Sequence, residues 1–185
     1  MSQTTNQKRV LALDVRPRSF GYVVLEDPDR LLDWGARSFR NGVNAVRNPV
    51  HKKLASLLEE FAPSAVILKN ILSRPKKSGK RKRKYDAITQ QVQRHGIAVR
   101  AITARAIRSA FGANERLTKY QVASAIAARF PELAPRLPPK RKPWQSEDYR
   151  MSIFDAAALG VAYFSRYTKR SPDNSAENPA PSEPT

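Results

Sequence analysis

Asp14 is the residue whose position in the sequence most suggests chemistry. It ends the apolar run 10–13 and precedes the pair Gly21 and Tyr22. A carboxylate on an inner strand followed by a tight hairpin commonly holds a divalent metal ion against a phosphate, because hard cations prefer oxygen ligands. The alternative is an ordinary turn residue at the end of a strand. The pattern makes Asp14 the first candidate ligand.

Basic side chains suited to phosphate binding are concentrated in two segments. Such cations bind a nucleic-acid backbone without reading its sequence, so affinity should fall steeply with salt. The competing interpretation of a basic run is a localisation signal. After the second segment, Trp144 adds a ring that either stacks on a base or packs into the core. The first segment contains Arg74, Lys76, Lys77, Lys80, Arg81, Lys82, Arg83 and Lys84, and the second contains Lys140, Arg141 and Lys142.

The composition favours a nucleic-acid partner. Among 185 residues, 34 Lys and Arg oppose 16 Asp and Glu, which gives a formal net charge of +18. Such an excess repels itself unless a polyanion neutralises it. No stretch approaches the roughly 20 apolar residues of a membrane-spanning helix, and the first residues are too polar for a signal peptide. Since there is also no cysteine, we expect a cytoplasmic protein that binds nucleic acid and no membrane.

Hydrophobic periodicity predicts an α/β organisation. Three short apolar runs separated by turns predict an antiparallel meander, and the later runs alternate between strand and helix patterns. This order predicts a mixed five-stranded sheet, with three antiparallel strands and then parallel ones, covered by helices on both faces. The predicted strands are 10–15, 20–25, 31–39, 64–68 and 97–102, and the predicted helices are 49–61, 85–94, 104–111, 117–130 and 152–167.

A single domain is expected over residues 9–167. The polar residues 1–8 and the tail 168–185 are predicted to be disordered. Segment 73–84 is too charged to bury anything, so we expect a mobile loop there without nucleic acid. Segment 131–143 carries five prolines and is expected to run extended over the surface.

Three motifs, in this order, resemble those of RuvC-type Holliday-junction resolvases, which belong to the ribonuclease H-like superfamily. The resemblance spans about residues 9 to 167. It implies that Asp14 and Asp155 are metal ligands and that Lys119 lies near the scissile phosphate. It also implies branched DNA, more than RNA, as the partner, and a possible homodimer. The matching segments are 10–14 with Gly21 and Tyr22, then 111–112 followed by 118–122, and finally 154–160.

The sequence departs from the resolvase pattern at the end of the fourth strand. Where that family has a glutamate, this chain has Lys69 after the apolar run 65–68. A protonated lysine cannot ligate a metal ion. Its ammonium group either substitutes for the charge of one cation, or pairs with Asp14 and Asp155 and closes the site.

A second departure lies at the last helix, where the family has two acids and this chain has Ser152 at the earlier position. Glu147 or Asp148, just before it, would restore the missing carboxylate. Both are also typical of the start of a helix, as is Asp155, because the helix dipole favours acids there. Lys119 is either a phosphate contact or one more solvated base.

Metal-dependent cutting of branched DNA is the first functional hypothesis. Two Mg²⁺ or Mn²⁺ ions roughly 4 Å apart stabilise the attacking water and the departing oxygen, and they need three or four carboxylates. The second hypothesis keeps the fold and discards the chemistry, leaving an inactive DNA- or RNA-binding protein, with Lys69 as its strongest support. A small basic RNA- or ribosome-associated protein is a third possibility, which composition alone allows.

Overall fold

The structure is a computed structural model that describes residues 8–17, 19–38, 49–70, 79–112 and 117–167. The strands are β1 (Val10–Val15), β2 (Ser19–Asp27), β3 (Arg30–Ser38), β4 (Ala65–Lys69) and β5 (Ala98–Ile102). The α-helices are α1 (Pro49–Phe61), α2 (Gly79–Arg94), α3 (Ala104–Ala110), α4 (Lys119–Arg129) and α5 (Met151–Tyr167), and a 3-10 helix spans Pro131–Arg136.

All five strands form one sheet in the order β3-β2-β1-β4-β5. The first three strands are antiparallel neighbours, whereas β1 pairs with β4 and β4 with β5 in parallel. The predicted mixed sheet with helices on both faces is therefore confirmed. Because β1 and β4 are central and parallel, their carboxyl ends meet at the same edge of the sheet.

Alternation along β1 divides the core into two layers, since successive side chains of a strand point to opposite faces. Val10 and Ala12 pack in the layer that contains α5, α4 and the 3-10 helix. Leu11 and Leu13 pack in the layer that contains α1 and α2. All four side chains are almost fully buried, which explains why this stretch reads as a continuous apolar run.

Helix α5 lies close against the sheet. A Cβ atom added at Gly160 would stand 2.4 Å from Cδ1 of Leu25 and 3.7 Å from Cβ of Ala12. The alanines 156–158 on the same helix are buried. Small side chains thus let the helix axis approach the strands and bring its first turns over the end of β1.

The basic segment differs from its prediction. Helix α2 begins at Gly79, so residues 79–84 are helical, whereas a mobile loop was expected over 73–84. Lys and Arg are good helix formers, and burial of Ile88 and Val92 anchors the later turns, which allows the charged turns to continue the helix. Arg74, Lys76 and Lys77, the side chains of Lys80 and Arg81, residues 1–7 and the tail 168–185 lie outside the described part.

The proline-rich segment is also more structured than an extended excursion. It starts with the 3-10 helix, which buries Leu133, and Pro138 is buried as well. Trp144, by contrast, is 78% exposed, so its packing into the core is excluded. No helix in the described ranges is both long and apolar enough to cross a bilayer.

Candidate functional site

Strand alternation points Asp14 and Lys69 toward α5. Asp14 follows Val10 and Ala12 on the face that α5 covers, and Lys69 follows Ala65 and Ile67 on the same face of β4. The two strands are parallel neighbours in register at Leu13 and Leu68. The sequence therefore puts an acid and a base side by side where the central strands end.

Gly21 allows the first turn of α5 to reach Asp14. It pairs with Asp14 across β1 and β2, and a Cβ atom there would stand 2.2 Å from the carbonyl carbon of Ser152. No side chain fits in that gap. Backbone contact at Gly21 and Ser152 places Asp155, one helical turn further on, beside Asp14.

Arg16 ties three carboxylates together, each from a different element. Its Nε donates to Asp14 at 2.5 Å, its Nη2 to Asp155 at 2.6 Å, and its Nη1 to Glu147 at 3.0 Å. The Arg16 side chain is only 13% exposed. Asp14 and Asp155 accept hydrogen bonds from two nitrogens of the same guanidinium group. Their carboxylates are therefore close to each other.

Lys119 closes the other side of this arrangement. Its Nζ lies 2.8 Å from Glu147 and 3.0 Å from Asp155. It is the first residue of α4, whose start is fixed by a capping box between Thr118 and Gln121. We call Arg16, Lys119, Asp14, Asp155 and Glu147 together the Arg16 network.

The protonation of this network depends on its internal charges. Burial raises the pKa of the Asp14 carboxyl and the charge of Asp155 raises it further, which Arg16 and Lys69 only partly offset. Burial lowers the pKa of the Lys119 amine, but Asp155 and Glu147 outweigh that effect and leave it raised. Burial and the charge of Asp155 thus disfavour the ionised form of Asp14, and the neighbouring cations stabilise that form.

A two-metal site does not fit the arrangement of charges. Arg16 pairs with all three carboxylates, Lys119 pairs with Asp155 and Glu147, and Lys69 acts on Asp14 through its charge. The formal charges of these six groups cancel, whereas two divalent ions require a cluster of uncompensated oxygen ligands. Within the residues described, no three His, Asp or Glu side chains are arranged to hold a metal ion.

Of the two acids expected before α5, only Glu147 joins the network. Asp148 accepts hydrogen bonds from the backbone and the guanidinium of Arg150, with the shortest at 2.7 Å, and these bonds lower the pKa of its carboxyl. Ser152 is buried and its hydroxyl donates to the carbonyl of Tyr149. Both therefore shape the start of α5.

Exposed cations border the network on two sides. Nζ of Lys84 donates to the carbonyl of Pro17 at 3.0 Å, which holds the basic start of α2 beside the β1–β2 turn. Lys82 and Arg83 next to it are exposed. Across the network, Lys119 and Glu147 line a cleft with two exposed bases of the second segment, Lys140 and Arg141, while Lys142 follows in the adjoining turn.

Arg16 is the member of the network that sequence reasoning missed. The pattern predicts a turn at 16–19, between the first two strands, and charged residues in turns usually point to water. The available signal was its spacing from Asp14, since a residue two positions on returns to the same face of the strand. A basic residue two positions after a candidate ligand should therefore be tested as its partner.

Comparisons with known proteins agree with this architecture. No protein-family model and no curated protein matches the sequence. The structure is similar to Thermus thermophilus RuvC in complex with Holliday junction substrate, at 18% identity and a TM-score of 0.64 over 88% of this chain and 95% of that one. Another Thermus thermophilus RuvC structure gives 17% identity and 0.64, over 86% and 96%.

A viral protein shares the same architecture. The fowlpox virus resolvase, in a complex with Holliday junction DNA, is 14% identical with a TM-score of 0.50, over 86% of this chain and 98% of that one. At such low identity these likenesses show the fold alone. This chain has the ribonuclease H-like fold of the RuvC resolvases.

Proposed function

We propose that this protein binds branched or otherwise structured DNA, and that the Arg16 network replaces divalent metal ions in its acidic cluster, so that the DNA is bound without being cut. The observation that carries the proposal is the bonding of one guanidinium to Asp14, Asp155 and Glu147. In a two-metal nuclease such carboxylates hold the ions that activate water. Here their charges are already compensated by the protein.

The internal cations would serve the binding of DNA. A bare cluster of three carboxylates repels a phosphate, and nuclease metal ions normally remove that repulsion. Arg16, Lys119 and Lys69 offset the same three charges. A DNA backbone is therefore able to approach this end of the sheet with no metal present.

Three further features support DNA as the partner. The fold is shared with proteins solved in complex with Holliday junctions. The chain carries a net charge of +18, which favours a polyanion. Exposed cations at Lys82 and Arg83, and at Lys140 and Arg141, lie on two sides of the network, where a branched duplex would place phosphates.

Binding and cleavage assays of the purified protein test this proposal. We expect a four-way junction to bind with equal affinity in Mg²⁺ and in a chelator, as measured by fluorescence anisotropy. Asp14→Asn should bind as well or more tightly, because it removes a negative charge near the phosphates. Loss of binding in the chelator would refute the metal-free role.

A metal-dependent endonuclease acting on branched DNA is the second candidate. One observation favours it: Asp14, Asp155 and Glu147 reach the same place from a strand, a helix and a loop. Cutting of a junction by the wild type in Mg²⁺ or Mn²⁺, abolished in Asp14→Asn, would establish this activity. Absence of cutting on junction, duplex, single strand and RNA hybrid would exclude it.

A further inference from the structure

We propose that Trp144 is a stacking site for an unpaired nucleobase on a strand that leaves the bound duplex. The inference rests on the proposed binding of structured DNA and adds a contact with a base to the contacts with phosphates. It is carried by the turn that presents the ring, by the exposure of the ring, and by the cations around it.

A tight turn holds Trp144 at a defined place. The backbone N–H of Gln145 donates to the carbonyl of Lys142 at 3.1 Å, and the N–H of Lys142 donates to Oε1 of Gln145 at 3.1 Å. Pro143 takes the second position of this turn, where its fixed φ angle is favourable. The backbone that carries the indole is therefore already ordered, which lowers the entropy cost when a ligand binds there.

The ring itself is available to a partner. Trp144 is 78% exposed, more than any other large hydrophobic side chain in the described ranges, Tyr149 being next at 44%. Nζ of Lys142 lies over the indole, 5.6 Å from its centroid. A solvent-exposed aromatic ring with a cation against it is the combination that stacks on bases and pairs with the adjoining phosphates.

Charge complementarity selects a nucleic acid as the occupant. Lys140 and Arg141, just before the turn, are exposed and line the cleft that also contains Lys119. A strand whose base stacks on Trp144 would pass these cations with its phosphates. An apolar or basic protein surface would gain nothing from them.

The base in question must be unpaired. In a continuous duplex each base is covered on both faces by its neighbours, whereas a side chain stacks on a base whose face is open. Such bases occur in single strands, in flaps and next to a branch point. Trp144 would therefore favour these substrates over an unbroken duplex.

Anisotropy titrations with a single-stranded oligonucleotide and with a duplex of the same length test the site. We expect Trp144→Ala to weaken single-strand binding by about 5- to 150-fold, the range that loss of a stacking residue produces. Duplex binding should change by less than about twofold, and Trp144→Phe should retain most of the single-strand affinity, since a phenyl ring also stacks. Tyr149→Ala is the matched control and should bind both substrates like the wild type.

A spectroscopic reading separates stacking from a structural effect. The chain has two tryptophans, so Trp34→Phe leaves Trp144 as the sole indole. Its fluorescence should be quenched by the single strand and much less by the duplex. Quenching by neither, or equal losses on both substrates in Trp144→Ala, would overturn the stacking site.

The two proposals fail in different ways. If the wild type binds junction and duplex while Trp144→Ala binds the single strand equally well, the stacking site is wrong and the proposed function stands. If the wild type binds no DNA in any form, both are overturned.

Discussion

At the scale of single residues, Arg16 determines what the acidic cluster is able to do. Without it, Asp14 and Asp155 would be two neighbouring carboxylates of low exposure, and Asp14 already has a raised pKa through burial and the charge of Asp155. With it, both have a charge-assisted hydrogen bond to one guanidinium. A single side chain thus links carboxylates that would otherwise repel one another.

Arg16→Ala should lower the free energy of unfolding by about 3 kcal/mol, because it leaves Asp14 and Asp155 without their shared cation. Added Mg²⁺ should recover part of this loss, since the released carboxylates are good ligands and an ion that binds only the folded state stabilises it. Lys69→Glu in the same chain should strengthen the response to Mg²⁺. Urea unfolding with and without Mg²⁺ measures both effects.

Arg105→Ala is the control for this prediction. Arg105 is exposed on α3, so its loss should change stability by less than about 0.5 kcal/mol and create no response to Mg²⁺. If Arg16→Ala is destabilised and added Mg²⁺ does not change its free energy of unfolding, the carboxylates released by the substitution are not close enough to bind one ion together.

The sequence identified most of the network and missed Arg16 for a physical reason. Asp14 and Lys69 lie near the ends of apolar strands, Lys119 begins α4 and Asp155 lies in the second turn of α5, so regular elements fix their directions. Glu147 could be named only as an alternative to Asp148, because both lie in an irregular segment where side-chain direction depends on tertiary contacts. Arg16 lies just beyond β1, where the pattern predicts a turn, and its spacing from Asp14 was the only signal.

At the scale of elements, the contact between β2 and α5 positions the network. Gly21→Ala would put a methyl group against the backbone of Ser152, where the gap is 2.2 Å. Since backbone cannot move aside cheaply, we expect a loss of about 3 kcal/mol. Gly35→Ala is the comparison, because its Cβ would meet the Tyr22 ring at 2.9 Å, a side chain that is able to shift.

Thermal unfolding of both glycine variants measures this difference. Gly35→Ala should cost about 1 kcal/mol. Equal losses in the two variants would mean that the approach of α5 at Gly21 is less tight than the backbone contact indicates.

Most elements could be predicted from periodicity, because each buries a face on the sheet. The bounds of α1 and β1 agree with the prediction, and β4 and β5 each begin one residue later than expected. The start of α2 could not be predicted in this way. Its first turns are nearly all basic, and their helicity depends on later turns that pack on the sheet.

At the scale of the whole molecule, the net charge of +18 predicts a steep loss of DNA affinity with salt. Replacing Lys82 and Arg83 by alanine should lower the slope of log affinity against log salt by about 1 for each phosphate contact removed. Titrations of a junction at several salt concentrations measure the slope.

Arg105 and Arg108, both exposed on α3, provide the matched pair of cations. Helix α3 borders the later part of α5, around Ala162, away from the network. Their replacement by alanine should leave the slope nearly unchanged. An equal fall of the slope in both double variants would mean that the positive charge acts without a defined binding surface.

Sedimentation of the same samples tests the homodimer, which stays a prediction.

The stretch between Pro138 and Met151 carries both Trp144 and Glu147, and Glu147 is fastened to Arg16 and Lys119. These ion pairs restrain the loop near its middle and divide it into two shorter segments. A shorter loop segment has fewer accessible conformations. Loss of the ion pairs of Glu147 would let the loop adopt more conformations, so Trp144 would occupy a wider range of positions before a base binds. Through Glu147, Arg16 thereby restricts the range of positions that the Trp144 ring adopts.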